Sequence, residues 1–418
     1  RIIDDELDEL LSGLPAVAIE GPKAVGKTAT ALQRARTVHE MDDPAQREIV
    51  LADPARLLLG QPPILIDEWQ RAPESWDLVR RAVDRDPSAN RFILTGSANA
   101  TDPSTHSGAG RIVRVRMRPL SLVERGLEVP TVSLAQLLRG DRPAITGETA
   151  VTLRQYTNEI VASGFPAIRG LTGRALRAQM ESYVARIVDK DFLEFGYAVR
   201  NPEVLRRWMR AYAAATSTTA TLETIRDAAT SGEGTKPARD IVLQYRSILE
   251  RLWVLDPVPA WLPSRNQISR LSHPDKHHLA DAALAATLLG VGVDALLEGD
   301  DAGIDLPRDG TLLGHLFESL VTQSVRVYAQ AAEAEVRHLR TKSGRHEVDL
   351  IIVRPDGRVL GMEMKLARTV TDEDARHLMW LKEQIGNDLV DSVIVTTGPH
   401  AYRREDGIAV VPAALLGP

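Results

Sequence analysis

The feature that most constrains this chain is a glycine-bounded loop that follows an apolar run near its start. The run covers residues 16–20, and Gly21 to Thr28 then fit the pattern G-x-x-x-x-G-K-[ST] without a gap. Gly21 and Gly26 allow a tight turn in which backbone N–H groups face a polyphosphate, and the N-terminus of a following helix favours anions. We therefore predict a buried strand, a phosphate-binding loop and a helix.

Two side chains of this loop have distinct predicted roles. Lys27 is expected to reach the β- and γ-phosphates, and the hydroxyl of Thr28 is expected to bind Mg²⁺. The predicted cofactors are therefore ATP and Mg²⁺, and the alternative is a glycine turn that carries Lys-Thr by chance. The other predicted nucleotide contacts are Gly21, Pro22, Lys23, Ala24, Val25, Gly26 and Ala29.

A second apolar run, residues 63–66, ends in Asp67 and Glu68. This is a Walker B pattern, in which Asp67 would hold Mg²⁺ and Glu68 would polarise or orient the water that attacks the γ-phosphate. The alternative is an exposed acidic pair at a strand end. The phosphate-binding loop upstream favours the catalytic interpretation.

Small polar residues follow a third predicted strand, which begins at Arg91. In a parallel sheet its carboxyl end lies beside the Walker B strand, so Thr95, Ser97 or Asn99 could reach the γ-phosphate or the water, although these residues could instead cap their own loop. Arg111 begins an alternating segment and is predicted to stabilise charge on the nucleotide; the alternative is a solvated arginine row. The pattern also predicts helices over residues 28–36, 54–59 and 73–86 and a strand over residues 48–52.

Several stretches together resemble the AAA-type P-loop ATPases of bacteria and archaea, in which the ATPase is fused to a C-terminal domain of unknown function with a nuclease-like core. This resemblance implies an α/β fold: an AAA-like parallel sheet, a helical and winged-helix-like region, and a restriction-endonuclease-like domain. The corresponding predicted ranges are 1–130, 131–300 and 301–418. The stretches that carry the resemblance are residues 21–28, 66–73, 94–97, 118–124, 164–166 and 183–191, with C-terminal motifs.

The middle of the chain is predicted to be helical to about residue 215, with a helix that begins at Pro202. Helices from Thr221 and from Pro237, separated by a glycine turn over residues 231–234, suggest a winged helix. That element either is structural or contacts nucleic acid. The basic residues for such a contact are Arg239, Arg246 and Arg251, and the segment Lys276-His277-His278 is interpreted as a solvated turn.

The last third contains a group of carboxylates. Glu318 lies on an amphipathic helix predicted over residues 311–328, and Asp349, Glu363 and Lys365 lie on two strands that flank a Pro-Asp-Gly turn. With a three-residue loop, Asp349 lies opposite Glu363 on one face of the hairpin; a two-residue turn would place them on opposite faces.

This arrangement resembles the PD-(D/E)xK nuclease core, although Val348 stands where that signature has proline. The resemblance implies that Asp349 and Glu363 chelate a second Mg²⁺ or Mn²⁺, that Glu318 completes the metal shell and that Lys365 activates water. The alternatives are a salt-bridged hairpin or a domain that retains this fold without cleaving. Upstream, Arg340, Lys342 and Arg345 could contact a phosphate backbone.

Composition narrows the functional classes. The chain has 418 residues, no cysteine and a formal charge of −6, so disulfides and thiolate chemistry are excluded and no global attraction to nucleic acid exists. The absence of cysteine and of a signal segment leads us to expect a cytoplasmic protein, and no apolar run approaches the length of a membrane span. A start at Arg1 suggests that a few residues precede it.

We therefore predict an ATPase coupled to a nuclease-like domain that acts on nucleic acid, with DNA favoured over RNA. One alternative is a non-cleaving, ATP-dependent regulator, of the toxin–antitoxin or transcription-related kind, that binds DNA or a protein partner. A small-molecule kinase is a third interpretation, for which no acceptor pocket is assigned. No sequence feature requires oligomerisation, which stays open.

Overall fold

The structure is a computed structural model, and it describes residues 1–97, 109–230, 236–263, 273–298, 311–341 and 344–418. The chain divides into two compact units. The N-terminal unit contains Arg1–Pro119 with the short segments Phe165–Ala167 and Ser247–Val254. The C-terminal unit contains Leu120–Gly164, Ile168–Arg246 and Leu255–Pro418.

A five-stranded parallel sheet in the order β2-β3-β4-β1-β5 forms the centre of the N-terminal unit. The central strand, β1, leads directly into the glycine-bounded loop, so the loop lies at the carboxyl edge of the sheet. The elements are α1 (Ile3–Gly13), β1 (Ala16–Glu20), α2 (Lys27–Leu32), β2 (Thr37–Glu40), α3 (Pro44–Ala52), β3 (Ile64–Asp67), α4 (Glu74–Arg85), β4 (Phe92–Gly96) and β5 (Val113–Arg116).

The core of this unit comes from strands that are buried on both faces, as expected of a parallel sheet. Every residue of β1, β3 and β4 is buried. Helix α4 covers the sheet with Trp76, Val79 and Val83, and the rings of Trp69 and Trp76 lie 4.6 Å apart. The predictions of these strands and of α4 are confirmed.

The predicted strand over residues 48–52 is wrong, because these residues form the second half of helix α3. The helix begins with Asp43 as N-cap, which accepts a hydrogen bond from the backbone N–H of Ala45, and with Pro44 in its first turn. Of its apolar run only Val50 is buried, whereas Ile49 and Leu51 are exposed. Capping therefore outweighs the β propensity of that run.

A mixed seven-stranded sheet, in the order β7-β12-β13-β11-β10-β9-β8, organises the end of the C-terminal unit. Helices α15 and α16 pack on it. The unit's elements are β6 (Val132–Ser133), α5 (Leu134–Arg139), β7 (Gly147–Glu148), α6 (Leu153–Ala162), α7 (Pro166–Arg169, shared with the N-terminal unit), α8 (Gly173–Arg186), α9 (Phe192–Glu194), α10 (Pro202–Ala214), α11 (Leu222–Ala228), α12 (Arg239–Arg251, shared likewise), α13 (Ala282–Leu289), α14 (Val293–Glu298), α15 (Leu312–Ala331), β8 (Glu335–Arg340), β9 (Glu347–Val353), β10 (Val359–Lys365), α16 (Asp372–Ile385), β11 (Leu389–Thr396), β12 (His400–Arg403), β13 (Ala409–Pro412) and β14 (Leu416–Gly417).

The β9–β10 hairpin has the register predicted for a three-residue loop. Gly357 has φ +85° and its N–H donates to the carbonyl of Arg354, while Leu350 pairs with Met362. Extending this register by one residue sets Asp349 opposite Glu363. The predicted face-sharing of these two carboxylates is therefore confirmed.

The segment Lys276-His277-His278 was expected to be a solvated turn, and this expectation is wrong. All three side chains are buried, and Lys276 exchanges two backbone hydrogen bonds of 2.9 Å with Val258. Helices α11 and α12 occupy the region predicted to be a winged helix, but the predicted turn at 231–234 lies outside the described residues, so the winged helix stays a prediction. Within the part of the chain that is described, no helix has the length and apolarity needed to cross a membrane.

Candidate functional site

The glycine-bounded loop is held against the backbone that follows β5. A Cβ atom on Gly21 would lie 2.2 Å from the carbonyl oxygen of Met117, so only glycine fits at this position. Ala24 (φ +65°) and Gly26 (φ +102°) have left-handed backbones, which wrap the chain back before α2 begins at Lys27. These two conformations produce the curved backbone that phosphate-binding loops require.

The side chain of Lys27 lies inside this loop. Its Nζ donates to the carbonyl oxygens of Gly21 and Pro22, at 3.0 and 2.9 Å, and the residue is buried. Burial lowers the pKa of Lys27 to about 8, against the opposing effect of the carboxylates of Glu68 and Asp67. Within the part of the chain that is described, this ammonium group donates to neutral carbonyl oxygens alone, and an anionic phosphate is a better partner for it.

The loop and the Walker B strand meet at Asp67, the last residue of β3. The Thr28 hydroxyl donates to Asp67 Oδ1 at 2.8 Å, and Thr95, at the end of β4, donates to the same oxygen. Asp67 and Thr95 lie at the carboxyl ends of β3 and β4, and Thr28 lies in the first turn of α2, which begins at the same edge of the sheet. A hydroxyl and a carboxylate at this spacing are suitable ligands for Mg²⁺, which prefers oxygen.

Glu68 directly follows β3 and has a left-handed backbone, with φ +52°. Its Oε2 accepts hydrogen bonds from Gln70 Nε2 and, at 3.2 Å, from Ser97 Oγ. The structure therefore brings the predicted catalytic glutamate and the predicted sensor Ser97 together. Gln70 was not identified from the sequence, because no spacing rule links it to Glu68; Asn99 lies outside the described residues.

Arg111 is not brought to this edge. Val113, two residues later, pairs with Val17 in the first half of β1, so Arg111 lies at the amino end of the sheet, opposite the loop. There it donates to Asp84 Oδ1 at 2.8 Å and to the carbonyl of Ala109. Its predicted contact with the nucleotide does not fit this position.

A second charged site lies in the C-terminal unit, where the predicted carboxylates meet. Asp349 Oδ2 accepts a hydrogen bond from the N–H of Met364, and Lys365 Nζ lies 3.7 Å from Glu363 Oε2. Glu318, from α15, reaches the same place. The predicted group of Glu318, Asp349, Glu363 and Lys365 therefore exists; we call it, with Glu347 and Lys276, the carboxylate cluster.

Lys276 is the member of the carboxylate cluster that sequence reasoning missed. Its Nζ lies 2.7 Å from Glu318 Oε1, 2.9 Å from Asp349 Oδ1 and 3.3 Å from Glu347 Oε1, and the side chain is 1% exposed. The contacts span 42 and 73 residues of sequence. Nothing in the local pattern Asp-Lys-His-His could have indicated them.

The charges of the carboxylate cluster follow from burial and from this ammonium group. Burial raises the pKa of Glu318 to about 8, with Lys276 opposing the rise and Asp349 adding to it. Burial and the neighbouring Asp349 also raise the pKa of Glu363. Although burial acts against it, the charges of Lys276 and Lys365 lower the pKa of Asp349 to about 2. Lys276 remains protonated, because three carboxylates raise its pKa despite burial.

The predicted divalent ion does not fit among these residues as they stand. An ion shared by Glu318 and Asp349 would lie against the ammonium group of Lys276, which already binds one oxygen of each carboxylate. Glu363 Oε1 is buried and makes no hydrogen bond, but one oxygen alone does not hold an ion. Across the described ranges, no group of three His, Cys, Asp or Glu residues is arranged to bind a metal.

Three protein families match successive parts of the chain. Residues 14–125 match the family described as AAA domain. Residues 153–295 and 313–416 match two domains of unknown function, DUF8612 and DUF4143 respectively. The AAA match supports a P-loop ATPase in the N-terminal region, with the nucleotide binding and ATPase activity that this implies.

Two mycobacterial proteins and two archaeal solved structures match this chain at low identity. The uncharacterized proteins Mb2031c of Mycobacterium bovis and Rv2008c of Mycobacterium tuberculosis are each 25% identical over 415 residues, which is 97% of this chain and 82% of theirs. The Walker-type ATPase PABY2304 of Pyrococcus abyssi is 17% identical with a TM-score of 0.40, over 68% of this chain and 94% of that one. The ORC2 protein of Aeropyrum pernix is 15% identical with a TM-score of 0.28, over 72% and 93%.

Proposed function

We propose that the N-terminal unit hydrolyses ATP with Mg²⁺. The observation that carries this proposal is the hydrogen bond between Thr28 Oγ1 and Asp67 Oδ1, 2.8 Å long, beside the loop that contains Lys27. These two oxygens would hold the ion, which would bridge and neutralise phosphate oxygens. Lys27 would leave its two carbonyl partners for the β- and γ-phosphates.

Glu68 is the proposed residue for the attacking water. Its Oε2 atom accepts hydrogen bonds from Gln70 and Ser97. Oε2 would become available to the attacking water only if these hydrogen bonds rearrange. Apo geometry of this kind does not argue against a catalytic base, because catalytic hydrogen bonds often form only with substrate. Ser97 would then be free to contact the γ-phosphate or the water.

Phosphate release from ATP, measured with and without Mg²⁺, tests this proposal. Lys27→Ala should weaken nucleotide binding and reduce turnover by roughly 10²–10³-fold, whereas Glu68→Gln should retain binding and lose turnover. Lys190→Ala, an exposed lysine of the C-terminal unit, is the matched control and should leave both unchanged. Turnover at the native rate in Lys27→Ala would refute the assignment, and turnover that requires an added acceptor would favour a kinase.

A second proposed function concerns the C-terminal unit: it binds nucleic acid, DNA in the first instance, without cleaving it. A hydrolytic site requires a divalent ion at Glu318, Asp349 and Glu363, and the ammonium group of Lys276 lies against two of these residues. The non-cleaving regulator is therefore favoured over the nuclease. Arg345 is exposed near the start of β9 and is a candidate phosphate contact, whereas Lys342 lies outside the described residues.

The test combines binding and cleavage on single- and double-stranded DNA and RNA, with Mg²⁺ or Mn²⁺, with and without ATP. We expect binding that is weakened by salt, and intact substrate in every lane. Cleavage that disappears in Lys365→Ala would instead establish a nuclease, and Lys27→Ala would show whether ATP controls it. Absence of binding to every nucleic acid would leave a protein partner as the client.

A further inference from the structure

We propose that Lys276 is a resident cation: its ammonium group takes the place of a divalent ion in the carboxylate cluster, and this excludes metal from the cluster in the native chain. The inference agrees with the non-cleaving function proposed above but does not depend on it, because metal binding is measured separately from cleavage. It concerns a lysine that belongs to none of the predicted motifs.

The first argument is the match between donors and acceptors. An ammonium group has three N–H donors, and Lys276 Nζ has three carboxylate neighbours, on Glu318, Asp349 and Glu347. Two of these carboxylates, Glu318 on α15 and Asp349 on β9, are the ones that were predicted to bind a metal. Because a buried charge is tolerated only when it is paired and hydrogen-bonded, this arrangement satisfies the lysine and the acids together.

The second argument is that Lys276 is fixed at its backbone. The N–H and C=O groups of Lys276 both bond to Val258, at 2.9 Å. His277 on one side contacts the carbonyl of Ala220 at 2.7 Å, and His278 contacts Ser319 Oγ at 3.3 Å, next to Glu318. A metal could therefore enter only if this lysine side chain left a fully buried position, since its backbone is bonded in place.

The third argument is the contrast with Lys365, the lysine that the sequence pattern did indicate. Lys365 Nζ is 3.7 Å from Glu363 Oε2, and its side chain is 17% exposed, against 1% for Lys276. Lys365 therefore lies at the edge of the carboxylate cluster, with access to solvent, whereas Lys276 occupies its interior. Only the interior lysine competes with an ion for the same carboxylate oxygens.

The proposal predicts a latent metal site. With Lys276 among them, Glu318, Glu347, Asp349 and Glu363 are not arranged to bind a metal. Without the Lys276 charge, these side chains would have to close around the ion themselves, and carboxylates bind hard divalent ions. Mn²⁺ alone is a suitable probe, because free and bound Mn²⁺ are distinguished by electron paramagnetic resonance. The full chain would be used without nucleotide and with Asp67→Asn, which removes the carboxylate ligand of the proposed ATP site.

We expect no Mn²⁺ binding at the carboxylate cluster of the otherwise native chain, and one equivalent bound at least tenfold more tightly in Lys276→Met. That gain should disappear when Asp349→Asn is added. Lys365→Met, the matched control, should produce no comparable gain. Lys276→Gln, which keeps a hydrogen-bonding side chain, provides a second test if Lys276→Met does not fold, as judged by circular dichroism.

Two results would overturn the proposal: Mn²⁺ binding by the native cluster that is lost in Glu318→Gln or Asp349→Asn, or an unchanged affinity in folded Lys276→Met and Lys276→Gln. Neither depends on nucleic acid. If the native chain excludes Mn²⁺ yet fails to bind DNA or RNA, the proposed client is wrong while the resident cation stands. If it binds Mn²⁺ at the carboxylate cluster and also binds DNA without cleaving it, the resident cation is wrong while the proposed client stands.

Discussion

Each unit of this protein contains a buried lysine beside acidic residues, and the two lysines are bound differently. Lys27 donates to the neutral carbonyl oxygens of its own loop, whereas Lys276 donates to carboxylates of Glu318 and Asp349. Burial lowers the pKa of Lys27 to about 8, but the three carboxylates raise the pKa of Lys276 despite burial. Among the described residues, the first lysine has no anionic hydrogen-bond partner and the second has two.

This difference shows how the same residue type produces a binding site in one unit and a structural ion pair in the other. A buried ammonium group that is bonded to neutral acceptors has a desolvation cost that these acceptors do not fully offset, and a bound phosphate group would offset it. A buried ammonium on carboxylates has its cost offset already, so a further ligand would have to displace one of them. A motif that contains lysine and acids therefore does not show whether it forms a binding site or a structural ion pair. The atoms that accept the hydrogen bonds of the lysine distinguish the two.

The largest expected effect is on the stability of the C-terminal unit. Lys276→Met should lower the free energy of unfolding by about 3–5 kcal/mol, because it leaves the buried carboxylate of Asp349 without its main counter-charge. Lys365→Met should lower it by about 1 kcal/mol or less, since that lysine is partly solvated and lies farther from its partner. Urea unfolding of both variants measures the contrast, and equal losses would contradict the interior position assigned to Lys276.

Removal of the buried lysine of the N-terminal unit, Lys27, should lower ATP turnover without lowering the free energy of unfolding. Lys27→Ala is expected to reduce ATP hydrolysis by roughly 10²–10³-fold, the usual effect of removing one charge-stabilising group. Its free energy of unfolding should stay the same or rise, because a buried ammonium with a lowered pKa is lost. If Lys27→Ala destabilised the fold as much as Lys276→Met, the proposed distinction between the two lysines would fail.

A finer test concerns the metal ligands beside Lys27. Thr28→Ala should lower Mg²⁺-dependent turnover about 10- to 100-fold, as expected when a hydrogen-bonding partner of a charged group is removed. Thr28→Ser keeps the hydroxyl and should retain most of the activity. A serine variant as weak as the alanine variant would mean that the methyl group, rather than the oxygen, matters at this position.

Most of the nucleotide site follows from the sequence because its determinants are local. Gly21, Lys27 and Thr28 lie within one loop, and Asp67 and Glu68 end one strand, so spacing alone identifies them. The strand predicted over residues 48–52 is the second half of a helix, because the N-cap at Asp43 outweighs the β propensity of the apolar run that follows. The contact between Arg111 and the nucleotide was wrongly predicted, because the alternation of residues in β5 does not show which end of this strand lies beside the loop.

Only part of the carboxylate cluster could be predicted from the sequence. The hairpin register could be counted from its turn, and it correctly places Asp349 opposite Glu363. Lys276 reaches these acids through tertiary packing over 42 to 73 residues, and its own segment has no periodicity that marks it as buried. A motif defined by its acids therefore predicted a metal, and a distant lysine changes the chemistry that those acids support.

The last prediction concerns the pH dependence of stability, which should have opposite signs for the two sites. In the carboxylate cluster, the raised pKa of Glu318, about 8 against an ordinary value near 4.5, means that the folded state holds this proton more tightly. Glu318 therefore contributes stability below pH 4.5 that is lost as the pH rises to about 8, by up to about 1.4 kcal/mol per pH unit.

Lys27 should act in the opposite direction and at higher pH. Its pKa is about 8 in the folded state against 10.5 ordinarily, so the unfolded chain binds the proton more tightly and the free energy of unfolding should rise between pH 8 and 10.5. Urea titrations at intervals from pH 5 to 10 test both signs. Glu318→Gln should flatten the fall in the free energy of unfolding below pH 8, and Lys27→Met should flatten its rise above pH 8. If neither variant changes this pH profile, the two groups do not have the shifted pKa values assigned to them.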